Sequence, residues 1–281
     1  MMEEAIRKSA VLIEALPYMK AYASKIFVIK YGGSALIDPE IKRRVLQDIV
    51  FMSYVGIRPI LVHGGGPFIN EELKKTGGKI EFKDGLRVTS KETMEVVDRV
   101  LTGVNQSIAD DIKKIGGRAV SLNKVVRAKP HKEAKKLGFA GEVDTIKSDV
   151  IRKAVRPRSV PIISSVGFGA DNKSYNINAD DVSSEVAVAV KAVKLVLLTD
   201  VKGIMKKKED EKTLISALTM EETERLIDEN VIQGGMIPKV KACTNALAGG
   251  VSKTHIIDGR LPHSLLLEIF TDKGIGTEIV R

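Results

Sequence analysis

The feature of this sequence that most constrains its fold is a repeated alternation of short β-branched runs with longer segments of helical periodicity. Strands that are apolar throughout must be covered on both faces, which is typical of parallel sheets flanked by helices. The pattern therefore predicts an α/β fold with a mostly parallel sheet between helical layers. The predicted strands are residues 26–29, 59–62, 160–164, 195–198 and 255–257, and the predicted helices are residues 41–54, 67–75, 179–190 and 238–248.

Length and cysteine content limit the class of protein. A chain of 281 residues is long enough for a well-buried core, either in one large α/β unit or in two joined lobes. The only cysteine is Cys243, so an internal disulfide is impossible and a cytoplasmic location is favoured. The charged start of the chain does not match a secretory signal, and lysines interrupt the apolar stretch at residues 186–198. We therefore expect a soluble protein.

The formal net charge of +9 would fit a nucleic acid, an anionic membrane surface or small anionic substrates. The basic residues are spread along the chain, and the cluster at residues 123–136 contains Pro130 and predicts a hairpin or a surface excursion. Aromatic residues make up only 4% of the chain, so stacking platforms for single strands are scarce. We expect neither a nucleic-acid partner nor a membrane partner.

Two glycine-rich segments directly follow the first two predicted strands. The first places Lys30 ahead of Gly32 and Gly33, and the second is a run of three glycines at residues 64–66 before a helix. Glycine lets backbone N–H groups approach an anion closely, and a helix N-terminus adds further free N–H groups. Because ligands of α/β sheets bind at the carboxyl ends of strands, both segments should open on one crevice. Each segment alone also fits an ordinary turn.

Three later segments carry more polar or charged groups than local structure requires. Residues 176–181 read Asn-Ile-Asn-Ala-Asp-Asp, which exceeds the needs of helix capping. Residues 198–203 lead from a strand into a turn. Residues 234–239 place a lysine in the first turn of a helix, where the backbone is already positive, so an anion beside it would explain the lysine. The usual P-loop, dinucleotide and zinc motifs are missing from the sequence, which disfavours those classes of enzyme.

Together the five segments, in this order, resemble the amino acid kinase family over nearly the whole chain. Residues 84–89, 175–180 and 234–239 most resemble the branch that acts on N-acetyl-L-glutamate. The resemblance implies an open eight-stranded sheet, with an N-terminal helix at residues 1–22. It also implies a lobe at 23–176 for N-acetyl-L-glutamate and dimerisation, and a lobe at 177–281 for ATP and the arginine site. The implied reaction moves the γ-phosphoryl group of ATP, supplied with Mg²⁺, to the side-chain carboxylate.

The resemblance implies a role for each motif residue. Lys30 and Lys239 would hold the transferring phosphoryl group, with Asp180 between their ammonium groups. The carboxylate attacks in its ionised form, so no general base is required and the protein supplies charge and position. No side-chain metal site is implied. The substrate residues would be Gly65, Gly66, Arg87 and Asn176, and the ATP residues Gly32, Gly33, Thr199, Asp200, Gly203 and Gly235.

The segment at residues 1–22 predicts an amphipathic helix that the kinase fold itself does not require. Its apolar residues Ile6, Ala10, Ile13 and Leu16 recur at helical spacing, and Pro17 should kink or end its first part. An exposed apolar stripe usually has a partner, although packing on its own subunit is the alternative. In arginine-sensitive relatives such a helix interlaces with its copy. This implies a hexamer built as a trimer of dimers, or else a dimer.

The same resemblance implies that L-arginine inhibits the enzyme, with Tyr18, Glu268 and Gly274 forming its site. One departure concerns a hairpin tip that usually reads like Gly-Lys-Asp-Gly, where this chain has only residues 121–125. Two alternatives stay open. One is a sibling kinase acting on N-acetyl-aminoadipate, glutamate, aspartate or uridylate, which the setting of Arg87 disfavours. The other is a non-catalytic arginine sensor, which the intact pair of lysines disfavours.

Overall fold

The computed structural model describes residues 2–207, 210–271 and 274–281, and within them the chain forms ten α-helices and fourteen strands. The helices are α1 (Met2–Tyr22), α2 (Pro39–Tyr54), α3 (Gly66–Lys75), α4 (Lys91–Lys114), α5 (Ala134–Leu137), α6 (Ser148–Ala154), α7 (Ala179–Val190), α8 (Met220–Asp228), α9 (Met236–Ala248) and α10 (Ser264–Phe270). The strands are β1 (Ile26–Tyr31), β2 (Arg58–His63), β3 (Phe82–Lys83), β4 (Leu86–Arg87), β5 (Arg118–Leu122), β6 (Val126–Pro130), β7 (Gly141–Ile146), β8 (Ser159–Ser164), β9 (Val166–Phe168), β10 (Ser174–Asn176), β11 (Lys194–Thr199), β12 (Ala217–Thr219), β13 (Lys253–Asp258) and β14 (Thr277–Val280).

The described strands build one large sheet with eight members, in the order β12-β14-β13-β11-β1-β2-β8-β5. Its pairs are parallel except for β13 with β14, which run in opposite directions. Strand β1 lies near the centre, and its residues alternate between two cores. Val28 packs on the side covered by α7 and α9, whereas Phe27 and Ile29 pack on the side covered by α2, α4 and α10. The predicted two-sided burial is therefore confirmed.

All the predicted strands and helices form, with ends that differ by no more than two residues. The extension of β1 to Tyr31 places Lys30 inside a hydrogen-bonded strand, so its backbone is held by both neighbouring strands. The prediction omitted α4, which begins where the side chain of Ser90 accepts a hydrogen bond from the N–H of Thr93 at 3.1 Å. Helix α4 covers the sheet beside β5 and β8.

Pro17 does not end the first helix, because α1 continues without interruption to Tyr22. The part of α1 around the proline carries Ala15, Tyr18, Met19 and Tyr22, which pack against the core on the α2 side of the sheet. This spacing is that of one helix face. Packing of that face offsets the hydrogen bond that proline removes. Of the two expected effects of Pro17, a kink or an end of the helix, the end does not occur, and the kink stays a prediction.

The basic region near residue 130 forms the predicted hairpin, but the hairpin is longer than expected. Strand β6 pairs in antiparallel fashion with β7, so the chain returns at residues 141–146 and not within residues 123–136. These strands join β9 and β10 in a second, four-stranded sheet of the described chain, and β10 ends at Asn176. The division into lobes at residues 176 and 177 stays a prediction. None of the described helices is both long and apolar enough to cross a membrane.

Candidate active site

One buried carboxylate joins two lysines at the carboxyl end of the central strand. The ammonium of Lys30 lies 2.9 Å from Oδ1 of Asp180, and the ammonium of Lys239 lies 3.0 Å from Oδ2. Lys30 and Asp180 are only 8% and 3% exposed. Two positive charges against one negative charge leave this centre net positive. The predicted proximity of the three residues is therefore present in the structure.

The charge state of Asp180 follows from its two partners. Burial alone would raise the pKa of this carboxyl, because desolvation disfavours the charged form. The charges of Lys30 and Lys239, together with their hydrogen bonds, outweigh that effect and bring the pKa to about 2. Asp180 is therefore ionised at any physiological pH, and it holds both ammonium groups in place.

Each member of the centre comes from a different element, and local sequence explains its position. Asp180 lies in the first turn of α7, where negative charge is favoured, and the side chain of Asn178 caps that helix by accepting from the N–H of Asp180 at 2.9 Å. Lys239 lies in the first turn of α9, after Gly234, whose positive φ of 54° suits glycine. The anion expected beside Lys239 is thus supplied by the protein itself.

The two glycine-rich segments bring free backbone N–H groups to the same end of the sheet. Gly33 begins a 3-10 turn with a φ of 69°, and a Cβ on Gly32 would lie 3.3 Å from the ammonium of Lys30. A Cβ on Gly65 would lie 2.5 Å from the Cδ2 of Leu101 on α4, so this position cannot carry a side chain without movement. Neither Gly65 nor Gly66 donates its N–H to another described residue. Both N–H groups are available to a ligand.

Arg87 is a second buried cation, held by the hairpin of β3 and β4. The hairpin turns at Asp84 and Gly85, which both have positive φ, as a two-residue Asp-Gly turn requires. The guanidinium stacks 4.7 Å from the centre of the Phe82 ring, and its Nη2 donates to the side chain of Asn70. Burial lowers the pKa of Arg87, although a guanidinium stays charged. Its Nη1 is buried and has no partner in the described part of the chain.

Asn176 is joined to the Arg87 segment through Thr89. The side-chain amide of Asn176 donates to Oγ1 of Thr89 at 3.2 Å, and that hydroxyl donates to the carbonyl oxygen of Arg87 at 2.9 Å. The predicted substrate residues Arg87 and Asn176 therefore belong to one hydrogen-bonded group. Sequence reasoning assigned no role to Asn70 or Thr89. Thr89 lies within the motif at residues 84–89, whereas nothing in the sequence links Asn70 to Arg87.

The predicted ATP residues after β11 form a neighbouring group. Thr199 donates its hydroxyl to Asp200 at 3.2 Å. Gly203 has a φ of 148°, and its Cβ would lie 2.6 Å from the hydroxyl of Thr277, so this turn requires glycine. Gly235, by contrast, precedes α9 with no described atom within 4 Å of an added Cβ.

Sequence reasoning also missed the end of β13 beside this group. Asp258 lies opposite Thr199 in the sheet and is buried. Its carboxylate accepts two hydrogen bonds from the guanidinium of Arg260, at 2.9 and 2.8 Å. The Asp-Gly-Arg sequence after the predicted strand was the available signal.

A large cavity of about 870 Å³ lies between the β3–β4 hairpin and the helices α7 and α9. Its lining includes Asn178, which caps α7, and Leu86, Asp181 and Pro238, which are adjacent in sequence to Arg87, Asp180 and Lys239 respectively. The described residues contain no group of three or more His, Cys, Asp or Glu side chains that could hold a metal ion. The net positive charge of the centre formed by Lys30, Asp180 and Lys239 favours ligands that carry negative charge.

The three predicted arginine residues come together in another place, under α1. Tyr18, Glu268 and Gly274 line a polar cavity of about 290 Å³. Burial opposes ionisation of Glu268. However, hydrogen bonds from His255 and from the N–H groups of Ile275 and Gly276 keep the pKa of the carboxyl below its ordinary value. A Cβ on Gly274 would lie 3.0 Å from Oε2 of Glu268.

The fold and the first site together suit an enzyme that transfers a phosphoryl group between anionic partners. Such a reaction needs preorganised positive charge and N–H donors where negative charge gathers, and the lysine pair and the glycine loops supply both. The sequence model of the amino acid kinase family matches residues 25–258. The chain therefore belongs to the amino acid kinase family.

Individual proteins of known name show which members of the family this chain is similar to. The chain is similar to the acetylglutamate kinases of Syntrophomonas wolfei and Heliobacterium modesticaldum, at 49% and 48% identity, with 100% of both chains covered in each case. Among solved structures, N-acetylglutamate synthase from Neisseria gonorrhoeae matches with a TM-score of 0.87 and 25% identity, over 97% of this chain and 63% of that chain. Carbamate kinase from Giardia lamblia shares the fold, with a TM-score of 0.71 and 17% identity over 92% of this chain and 99% of that one.

The ion-pair geometry predicts the effect of removing the central carboxylate. Asp180→Asn leaves two ammonium groups close together without a counter-charge, so we expect the free energy of unfolding at pH 7 to fall by about 3–5 kcal/mol. An aspartate in the unfolded chain has a pKa near 4, so the lower pKa of Asp180 in the folded protein stabilises the fold at every pH above about 4. This contribution is lost as the pH falls from 4 towards 2. The difference between wild type and variant should therefore be constant from pH 7 to about pH 4 and shrink below it.

Urea denaturation across this pH range measures the effect. Asp144→Asn is the matched control, because Asp144 on β7 is exposed and forms no ion pair with a described residue. It should change the free energy of unfolding by less than about 0.5 kcal/mol. Equal losses for the two variants would contradict a special role for the Asp180 ion pairs.

Proposed function

We propose that the protein is an acetylglutamate kinase, which phosphorylates the γ-carboxylate of N-acetyl-L-glutamate with ATP and yields N-acetyl-L-glutamyl 5-phosphate. This is the second step of arginine biosynthesis, and we expect it to take place in the cytoplasm. The observation that carries the proposal is the buried Asp180 held between Lys30 and Lys239, together with the Nη1 of Arg87, which has no partner among the described residues. The full-length similarity to acetylglutamate kinases supports it.

The acceptor substrate carries two carboxylates and a neutral amide, and the site offers a matching set of groups. Arg87 presents a buried N–H edge that has no described partner and suits the α-carboxylate as a planar fork. The free N–H groups of Gly65 and Gly66 suit the attacking γ-carboxylate. Asn176 lies in the same hydrogen-bonded group as Arg87 and suits the acetamido end.

The transfer step requires no proton movement by the protein. An ionised carboxylate oxygen forms the new bond to the γ-phosphorus, the bond from that phosphorus to the bridging oxygen breaks, and ADP leaves with its electron pair. Negative charge gathers on the moving group and the leaving oxygen, so the ammonium groups of Lys30 and Lys239 would stabilise it from two sides. Asp180 would hold both ammonium groups in position and is ionised throughout.

The nucleotide would lie against the ends of β1 and β11. Gly32, Gly33 and Gly235 supply backbone that can approach phosphates closely, and Thr199, Asp200 and Gly203 form the turn beside them. The described residues offer no metal cage, so Mg²⁺ would bind as part of the ATP complex, mainly through phosphate oxygens. In that complex the metal neutralises phosphate charge, and the chain contributes position.

Turnover with a panel of acceptors tests the activity. With ATP and Mg²⁺, N-acetyl-L-glutamate should give an acyl phosphate that hydroxylamine traps as a hydroxamate, while free glutamate, aspartate and uridylate should react poorly. The reason is that Arg87 and Asn176 together suit two carboxylates and an amide. Equal rates with free glutamate would defeat the specificity, and absence of turnover with every acceptor would favour a non-catalytic arginine sensor.

The lysines should affect turnover more than binding. Lys30→Ala and Lys239→Ala should each lower kcat by roughly 10²–10³-fold, the scale of removing one preorganised donor to the transition state. The KM values should change less, because the charge on the phosphoryl group builds mainly in the transition state. Lys→Arg at either position should not restore full activity, since the guanidinium is planar and larger.

Steady-state kinetics measures both parameters. The control is Lys25→Ala, which removes an exposed lysine just before β1 and should leave kcat unchanged. Near-normal turnover in either alanine variant would show that its lysine has been assigned wrongly.

We further propose that L-arginine inhibits the enzyme through the cavity under α1, and that α1 joins dimers into a hexamer. The exposed apolar residues of α1 support this, because Ile6 and Ile13 are 61% and 69% exposed on a helix whose other face packs on the core. The anionic Glu268 suits the guanidinium of arginine. Inhibition follows if arginine binds a slow conformation better than the active one.

Deleting residues 1–20 should give dimers that turn over but ignore arginine, because the deletion removes both the apolar residues and Tyr18. Glu268→Gln is the matched variant, since it should keep the hexamer but weaken arginine inhibition by about 10-fold or more through loss of a charge-assisted contact. Sedimentation and inhibition curves measure the two effects. A full-length dimer that is insensitive to millimolar arginine would contradict the proposal.

A further inference from the structure

His63 is a fully buried residue beside the proposed acceptor site, and the mechanism above gives it no role. It is the last residue of β2 and is 0% exposed. Its Nδ1 lies 3.0 Å from the carbonyl oxygen of Gly64, the first residue of the glycine loop. Its Nε2 is also buried and has no hydrogen-bond partner within the described residues. The ring therefore has a single polar contact, and that contact is with the loop.

The chemistry of this contact fixes the tautomer of the ring. Burial lowers the pKa of His63 to about 4, so the imidazole is neutral at physiological pH. A neutral imidazole carries one N–H, and a carbonyl oxygen can only accept. The proton must therefore lie on Nδ1, which donates to Gly64, and Nε2 is left as a buried lone pair.

The two faces of the sheet place His63 and the catalytic centre on opposite sides. Side chains alternate along a strand, so His63 lies on the same face as Leu61, which packs in the core beneath α2 and α4. Val62 packs on the other face, with α7. Lys30 of β1 lies directly opposite Val62 of β2, so its side chain is on that face too. The ring of His63 is therefore behind the glycine loop, as seen from the lysine centre.

The geometry of the peptide between Gly64 and Gly65 links the contact of His63 to the direction of the Gly65 N–H. A trans peptide is planar, so the carbonyl of Gly64 and the N–H of Gly65 point in opposite directions, and no cis peptide occurs in the described backbone. With the carbonyl turned towards His63, the N–H of Gly65 is turned towards the face of Lys30 and Asp180. Three consecutive glycines have wide conformational freedom, so their orientation depends on contacts of this kind.

We propose that His63 is a positioning residue for the acceptor substrate, whose Nδ1–H holds the Gly64–Gly65 peptide so that the N–H of Gly65 faces the attacking carboxylate. The inference rests on the proposed function, which assigns that carboxylate to Gly65 and Gly66. Other contacts restrain only the rest of the loop. The N–H of Gly64 donates to Tyr31 at 3.2 Å, and a Cβ on Gly64 would lie 3.3 Å from that of Ala179.

Two substitutions separate the hydrogen bond from the volume of the ring. His63→Leu fills the space without a donor, whereas His63→Asn keeps an N–H close to the position of Nδ1. His63→Leu should raise KM for N-acetyl-L-glutamate by about 10- to 100-fold, the scale of one hydrogen bond to a charged group, and leave KM for ATP within about twofold. His63→Asn should restore most of the acceptor affinity, whatever it costs in thermal stability.

The outcomes separate the inference from the function on which it rests. Wild-type protein that does not phosphorylate N-acetyl-L-glutamate contradicts the proposed function. Active wild type together with an unchanged acceptor KM in His63→Leu contradicts the inference alone. Equal rises in both KM values, not restored in His63→Asn, would show a general structural role and would also overturn the inference.

A measurement on the unmodified protein covers the case in which the leucine variant does not fold. Nitrogen-15 NMR of the labelled histidines at neutral pH distinguishes a protonated ring nitrogen from a bare one. The signals of His63 should show a protonated Nδ1 and an unprotonated Nε2. The opposite tautomer would remove the hydrogen bond to Gly64 and would overturn the proposal.

Discussion

The candidate active site depends on the burial of one carboxylate between two ammonium groups. Isolated charges are costly to bury, and the site contains Lys30 and Asp180 buried and Lys239 half-buried because the carboxylate and the two ammonium groups offset each other's desolvation. The ion pairs also join β1 to the first turns of α7 and α9, so they couple the centre of the sheet to two helices. The remaining positive charge is what an anionic ligand would meet.

The glycine loops add backbone hydrogen-bond donors to the positive charge of this centre. Their backbone N–H groups supply directed donors without bulk, and at Gly65 the side chain of Leu101 leaves no room for a Cβ. Arg87 adds a second cation on the proposed substrate side, stacked on Phe82 and joined through Thr89 to Asn176. The main barrier to direct transfer between two anions is to bring them together, and in the proposed reaction these groups do so. The second cavity, under α1, is a separate polar site, and its lining includes the ionised carboxylate of Glu268.

The sequence predicted the sheet well because its strands are apolar throughout and its glycines mark the strand ends. It missed α4, the strands β5, β12 and β14 of the large sheet, and most of the second sheet. Strands such as β5 and β7 are only partly buried, so their sequences lack the continuous apolar signal. It left open whether Pro17 would kink or end the first helix, because the packing of Tyr18 and Tyr22 on the core is a tertiary effect that local propensity does not contain.

The sequence by itself determined the α/β architecture, the five ligand segments and the resemblance that links them, since these depend on residue type and spacing. Only the tertiary structure decided which polar groups meet. Asp180 and Lys239 are 59 residues apart in the chain, and Arg87 reaches Asn70 on a different element. It also decided that His63 is buried behind the glycine loop and that Tyr18 shares a cavity with Glu268. Burial and long-range contacts set the charge states and hydrogen bonds of these groups. Local sequence does not determine either the burial or the contacts.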